Sequence, residues 1–347
     1  MAKTSNKKKY SGKHIRQLGK GLDVGTAFIY ASEKVGDRVI FNIARDAFVD
    51  MPYSDHLKTI LGREGVKYIQ TDNKLYVLGD DALRFANLFQ RNLRRPMEFG
   101  VISPQEKEAL PFIKILITDA IGSRRATGEV VYYSTPAPPV DAEFDVLYHQ
   151  QIIQGILSDL GYTPKPMNEG LAVIFSELAE ENFTGLGLSF GGGMVNVCLA
   201  NLSVSLISFS IARGGDWIDK QVARVVNEPI SLITSFKESS LDLEKKGNLS
   251  RIEQALVIYY DLLLDYVASH LKIQLEKSGI HLEKPLTIAI AGGTAKPSGF
   301  LKRFKNIIQR YQLPFALAEV YLAPQPLQAT VKGTLIAAIV DEGKRVE

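Results

Sequence analysis

Three short glycine-rich segments hold the residues best suited to chemistry in this chain. They are Gly21-Leu22-Asp23-Val24-Gly25-Thr26, Ser189-Phe190-Gly191-Gly192-Gly193-Met194 and Ala291-Gly292-Gly293-Thr294. Glycine lets backbone N–H groups approach phosphate oxygens, and its access to positive φ aims several of them at one anion. Gly25 and Thr26 then offer N–H groups and a hydroxyl, and Gly191, Gly192 and Gly193 offer a run of N–H groups. None of the three is a P-loop or a dinucleotide fingerprint. A further segment, Arg213-Gly214-Gly215-Asp216, lets the backbone pass close to a sugar or phosphate. Asp216 has two roles open, a ligand contact or the cap of the helix that follows. Glu169 opens a helix, where a carboxylate can orient water for in-line attack on a terminal phosphate or simply complement the helix dipole.

The elements around these segments come in two sets. Phe28-Ile29-Tyr30-Ala31 and Arg38 to Ile43 are strands joined through a Gly36-Asp37 turn, and Leu75 to Leu78 is a short strand. Phe112 to Ile117 is an apolar helical segment, Val130 to Ser134 a strand ended by prolines, and Tyr148 to Leu160 a helix stopped at Gly161. After about residue 165 the series restarts. Leu186 to Phe190 and Met194 to Leu199 flank the triple glycine as a hairpin. Ser203 to Ile211 is a strand and Trp217 to Val226 a helix. Leu249 to Lys277 is a long helix, and Leu286 to Ala291 is an apolar run expected of a strand covered on both faces. The pattern predicts two α/β domains of like topology with a cleft between them.

Bulk properties agree. At 347 residues the chain exceeds the usual size of one core. A net charge of +3 is too small to imply nucleic acid by itself, and one cysteine, Cys198, allows no internal disulfide and fits a reducing compartment. No apolar stretch nears the roughly 20 residues of a membrane span. The five histidines are scattered without metal-ligand spacing. Residues 1–20 carry seven basic side chains and no acid, the composition of a solvated, disordered arm that can also dock on anionic lipid or nucleic acid.

The three glycine segments, in this order, resemble the actin-like ATPase superfamily with its duplicated, ribonuclease H-like domains. Within it, Val77-Leu78-Gly79-Asp80-Asp81-Ala82 followed by Arg95-Pro96-Met97-Glu98-Phe99-Gly100-Val101-Ile102 is similar to a segment of the bacterial actins MreB and MamK. Asn168-Glu169-Gly170-Leu171-Ala172 and Arg213-Gly214-Gly215-Asp216-Trp217-Ile218-Asp219 resemble two more of their motifs. The resemblance implies ATP or ADP with Mg2+ in the cleft. Asp23 would hold the hydrated magnesium, Gly25, Thr26 and Gly191 to Gly193 the phosphates, and Gly214, Gly215 and Asp216 the ribose side. Lys237 would lie near adenine, Gly292, Gly293 and Thr294 would pack on adenosine, and Glu169 would orient the attacking water. It also implies a first domain over residues 21–165 with an insertion at about 50–95, and a second over 166–347 with a small subdomain at about 220–280.

The sequence departs from that family at the hydrolytic end. Ser189 and Met194 replace an aspartate and a threonine, Asn196 stands at a common aspartate position, Gly170 replaces a proline, and Phe28 replaces a small or polar residue. Phosphoryl transfer depends on metal placement and an oriented nucleophile, so weak or slow hydrolysis is expected. The leading expectation is a cytoplasmic actin homologue that self-associates into filaments, with peripheral contact at the inner membrane through the basic arm. A non-filamentous pseudo-ATPase acting as an adaptor or tether is the alternative, unknown adaptor proteins are further expected partners, and a sugar or acid kinase shares the fold.

Overall fold

The computed structural model describes residues 16–71, 73–106 and 109–346. The first sheet begins with β1 (Arg16–Val24), β2 (Phe28–Val35) and β3 (Arg38–Arg45), an antiparallel meander. An excursion follows: β4 (Phe48–Pro52), α1 (Asp55–Arg63), β5 (Tyr68–Thr71), β6 (Lys74–Leu78) and α2 (Asp80–Leu88). It closes its own three-stranded sheet over a separate small core that includes Val49, Leu61 and Phe85. A two-residue ladder of β7 (Met97–Glu98) with β8 (Val101–Ile102) leads to α3 (Ala109–Ile121). The chain then completes the first sheet with β9 (Val130–Thr135), α4 (Leu147–Asp159) and β10 (Thr163–Asn168), in the order β10-β9-β1-β2-β3.

After α5 (Glu169–Glu177) the second sheet repeats this plan. It starts with the meander β11 (Gly185–Phe190), β12 (Val195–Asn201) and β13 (Val204–Ile211). Three helices follow, α6 (Gly215–Val226), α7 (Ile230–Ser239) and α8 (Arg251–Ser278), then β14 (Leu286–Ala291), α9 (Phe300–Ile308), β15 (Leu317–Leu322) and α10 (Ala329–Val346). Its order, β13-β12-β11-β14-β15, mirrors the first, with two antiparallel and two parallel pairings. Both sheets therefore aim a hairpin turn and the C-terminal ends of parallel strands at one place, where open α/β sheets bind ligands. The proline-rich loop after β9 joins the halves: Ser210 N donates to Pro138 O at 3.0 Å and Val140 N to Ser210 O at 2.9 Å.

Three expectations change. The basic arm, placed over residues 1–20, is shorter, because Arg16–Lys20 belong to β1. Lys20 is buried, and its ammonium donates to Ile121 O at 2.7 Å and Ser123 O at 3.0 Å, a cation at the negative end of α3. Residues before Arg16 lie outside the described residues. Second, helices α6 and α8 share one core with the second sheet, where Val222, Leu256, Leu264 and Leu188 pack together. They form no separate subdomain at 220–280. Third, the C-terminal helix crosses back to the first sheet. Ser32 Oγ donates to Val331 O at 2.9 Å, and Val130 N donates to the Glu342 carboxylate at 2.6 Å. The first sheet's layer is thus completed from the end of the chain.

That return depends on glycines. A Cβ on Gly333 would lie 1.8 Å from Ala172 O of α5, and one on Gly21 would lie 2.5 Å from Val331 O. Gly155, by contrast, is exposed within α4, with open space around it. In urea denaturation we expect Gly333→Ala to lose about 3 kcal/mol, the upper end of overpacking costs. Gly155→Ala should gain about 0.5–1 kcal/mol from helix propensity. Equal effects at the two positions would contradict the close α5–α10 packing.

Candidate functional site

The two sheets enclose a cavity of about 410 Å3. All the site residues expected from the sequence line it except Gly214 and Gly215, which form its wall one layer back. The tightest point is the Gly191 carbonyl. It accepts from Gly215 N at 3.1 Å and from Thr294 Oγ1 at 2.7 Å, so three glycine segments meet at one oxygen. Asp216 N donates to Gly192 O at 2.8 Å, which adds a second tie. Cβ atoms are excluded here. One on Gly214 would lie 2.5 Å from Gly192 O, one on Gly292 would lie 2.2 Å from Phe190 O, and one on Gly193 would lie 2.3 Å from Gly100 N.

Several groups expected to face a ligand serve the scaffold instead. Gly25 N donates to Phe28 O at 3.0 Å and Gly191 N to Met194 O at 2.9 Å, each closing its own turn. Thr26 is buried, and its hydroxyl accepts from Gly100 N at 3.0 Å. Lys237 donates to Gly215 O at 2.9 Å and to the buried Asp219 at 2.8 Å, so its ammonium braces the Gly214–Gly215 turn. Asp216 does not cap α6. The cap position is Gly214, without a side-chain bond, and the Asp216 carboxylate instead takes Arg95 Nη1 at 2.8 and 2.9 Å. Despite burial, Arg95, Lys237 and Lys220 together hold the Asp216 carboxyl below its ordinary pKa.

The opposite electrostatics prevail between Asp23 and Glu169. Asp23, at the end of β1, accepts from Ser134 Oγ at 2.6 Å, and Glu169, the first residue of α5, accepts from Ser189 Oγ at 3.0 Å. Burial raises the pKa of both. For Glu169 the negative charge of Asp23 raises it further, while the Ser189 hydroxyl and the Asn196 amide pull the other way. Two carboxyls surrounded by hydroxyls and an amide, with no cation against them among the described residues, form a hard oxygen donor set. Magnesium, which retains several waters and takes only one or two carboxylates, fits that set. Asp23 is the residue that would hold it, and Glu169 would take one of its waters.

Sequence reasoning missed Arg95, Ser134 and the Ser239–Ser240 and Lys296–Ser298 rims of the cavity. Ser134 had a legible signal, a polar residue near the C-terminal end of an apolar parallel strand. Arg95 had none, since its partner Asp216 is 121 positions away. Phe28 turns its ring under the Arg45 guanidinium at 4.4 Å, and buried Met194 fills the space beside Gly100.

The sequence matches the volactin family over residues 18–338. The chain belongs to that family. No curated protein sequence matches this volactin. Among solved structures, it superposes on a chain of the MamK double helical filament with a TM-score of 0.69 at 14% identity, covering 92% of the volactin and 98% of MamK. MreB5 of Spiroplasma citri bound to ADP gives 0.66 at 18% identity, covering 95% and 99%. The ethanolamine utilization protein EutJ from Carboxydothermus hydrogenoformans gives 0.52 at 15% identity, covering 92% and 89%. At such identities the likeness is one of fold, and the volactin has the actin-like fold with its two duplicated domains.

The Asp23–Glu169 pair sets a pH test of the ligand-free volactin. Glu169 releases its proton at higher pH in the folded than in the unfolded chain. The stability it contributes is therefore complete below the ordinary carboxyl pKa and is lost as pH rises through the raised folded value. Glu169→Gln removes that loss. Without added metal, urea denaturation at pH 8 should show the variant more stable by about 1–2 kcal/mol, with one pKa unit equal to ~1.4 kcal/mol. The two proteins should converge at pH 5.

Proposed function

We propose that this volactin binds ATP or ADP with magnesium in the cleft and assembles into filaments. The observation that carries the reading is the convergence of the glycine segments on one cavity, those at Gly191, Gly215 and Thr294 locked at the Gly191 carbonyl, beside a carboxyl pair without a counter-charge among the described residues. Gly192 and Gly193 lie between Thr26 and Asp216 and would present the phosphate cradle. The segments at Gly292–Thr294 and Ser239–Ser240 would flank the nucleoside. Support comes also from the structural relatives, of which MreB5 has been captured with ADP and with AMPPNP and MamK as a double helical filament.

Magnesium, when bound, neutralises charge on the phosphates and orders the water around them. This chain's residues do the remaining work. Glu169 would orient a water on the side facing Asp23; its pKa is raised to about 8, so at neutral pH it carries its own proton and acts as a base only once a bound cation draws that proton off. Ser189 supplies a hydroxyl donor where relatives have an aspartate, so it occupies one Glu169 oxygen instead of adding a negative charge. The metal is then held by fewer charges and the base is partly engaged, which makes hydrolysis slow. Nucleotide bridging both halves favours a closed shape, and head-to-tail contacts between identical closed subunits extend as filaments.

Electron microscopy of the purified full chain with magnesium and nucleotide tests this. Filaments should form with ATP and with a non-hydrolysable analogue alike, while phosphate release in the same samples trails assembly. Absence of polymer across salt and protein concentration would sink the filament reading and leave a nucleotide-binding adaptor.

A further inference from the structure

A second cavity, of about 240 Å3, shares no lining residue with the cleft. Phe99, Asp141 and Phe144 line it from the first half of the chain, and Arg213 and Trp217 from the second. Its one basic side chain is held in an unusual way. The Arg213 guanidinium lies 3.7 Å from the ring centre of Tyr266 and 5.3 Å from that of Trp217. Among the described residues its N–H groups have no hydrogen-bond or ion-pair partner. Aromatic faces fix the plane of a guanidinium and leave its donor edge unused, and a planar fork of N–H donors matches a carboxylate.

The neighbouring acid does not fill that role. Asp141 accepts from Ala212 N at 2.7 Å and from Tyr266 Oη at 3.2 Å, so each of its oxygens already has a neutral donor. The opposite wall is apolar and strained. Phe99 has φ +50°, a conformation an aromatic residue rarely takes, yet the residue is 43% exposed, its ring 6.3 Å from that of Phe144 and 5.1 Å from the Lys220 ammonium. Strain that holds an apolar ring open to solvent marks a surface kept for contact.

We propose that this pocket binds a peptide segment that presents a carboxylate beside an aromatic or large aliphatic side chain. The carboxylate takes the free edge of Arg213, and the side chain enters between Phe99, Phe144 and Trp217. Because the walls come from both halves of the chain, an occupant also ties them together.

Trp217 is the single tryptophan of the chain, so its fluorescence reports on the pocket directly. The probe is N-acetyl-phenylalanine, titrated into the full chain, with N-acetyl-phenylalanine amide and inorganic phosphate as comparisons. The acid should give a saturable change in emission, with the amide at least tenfold weaker and phosphate without effect at the same concentrations. Arg213→Gln should lose the response, and Arg213→Lys, which keeps the charge over the rings but not the fork, should weaken it. Circular dichroism confirms that both variants are folded. No saturable response in the unmodified protein would overturn the proposal. So would equal responses to acid and amide, a response to phosphate matching that to the acid, or a response intact in folded Arg213→Gln.

Discussion

The Gly191 carbonyl is the point on which the cleft depends. It takes the Gly215 N–H and the Thr294 hydroxyl together, and so fixes the turns after β11, β13 and β14 against one another. That convergence requires backbone to touch backbone, which only the missing Cβ atoms of Gly193, Gly214 and Gly292 permit. Across the cleft, Arg95 to Asp216 joins the other half to this assembly, and Gly100 N to Thr26 Oγ1 ties the facing segments of that half together. The glycines that first suggested an anion cradle are therefore also structural. They hold the turns in register, and the N–H groups left over would form the cradle.

Local sequence carried part of this arrangement and not the rest. Duplicated topology was legible because β14 is a near-continuous apolar run and because turn residues punctuate both meanders. Membership of the site was legible too, since glycine runs at the ends of such strands are where backbone N–H groups can close on an anion. The role of each polar group was not. Lys237 and Thr26 read as ligand contacts and Asp216 as a ligand contact or a helix cap, and in the structure each is engaged by a partner brought up by the fold, Asp219, Gly100 and Arg95 respectively. Such pairings depend on tertiary approach, which leaves no local periodicity. The same holds for β10, whose Pro164 and Pro166 argue against a strand. It is tolerated because β10 is the sheet edge, where proline removes no necessary ladder bond. The return of α10 to the first sheet likewise has no local signature.

The chemistry of the cleft turns on charge. One end is balanced, with Arg95, Lys237 and Lys220 around Asp216. The other holds Asp23 and Glu169 with hydroxyls and the Asn196 amide, and both carboxyls resist ionisation. A cation bound there would relieve that strain, so metal and nucleotide charge would stabilise the closed cleft together. Ser189 keeps the pair at two carboxyls instead of three. On the proposed function, the site would hold a nucleotide better than it cleaves one, and a filament built on it would turn over slowly.

Calorimetric titration of the purified full chain with ATP, with and without magnesium, is the decisive measurement. We expect one nucleotide per chain, bound at least tenfold more weakly without magnesium and in a folded Gly193→Val variant; a tenfold change is ~1.4 kcal/mol. Absence of binding at millimolar nucleotide, or binding indifferent to both magnesium and Gly193→Val, would contradict a magnesium-dependent nucleotide site in the cleft.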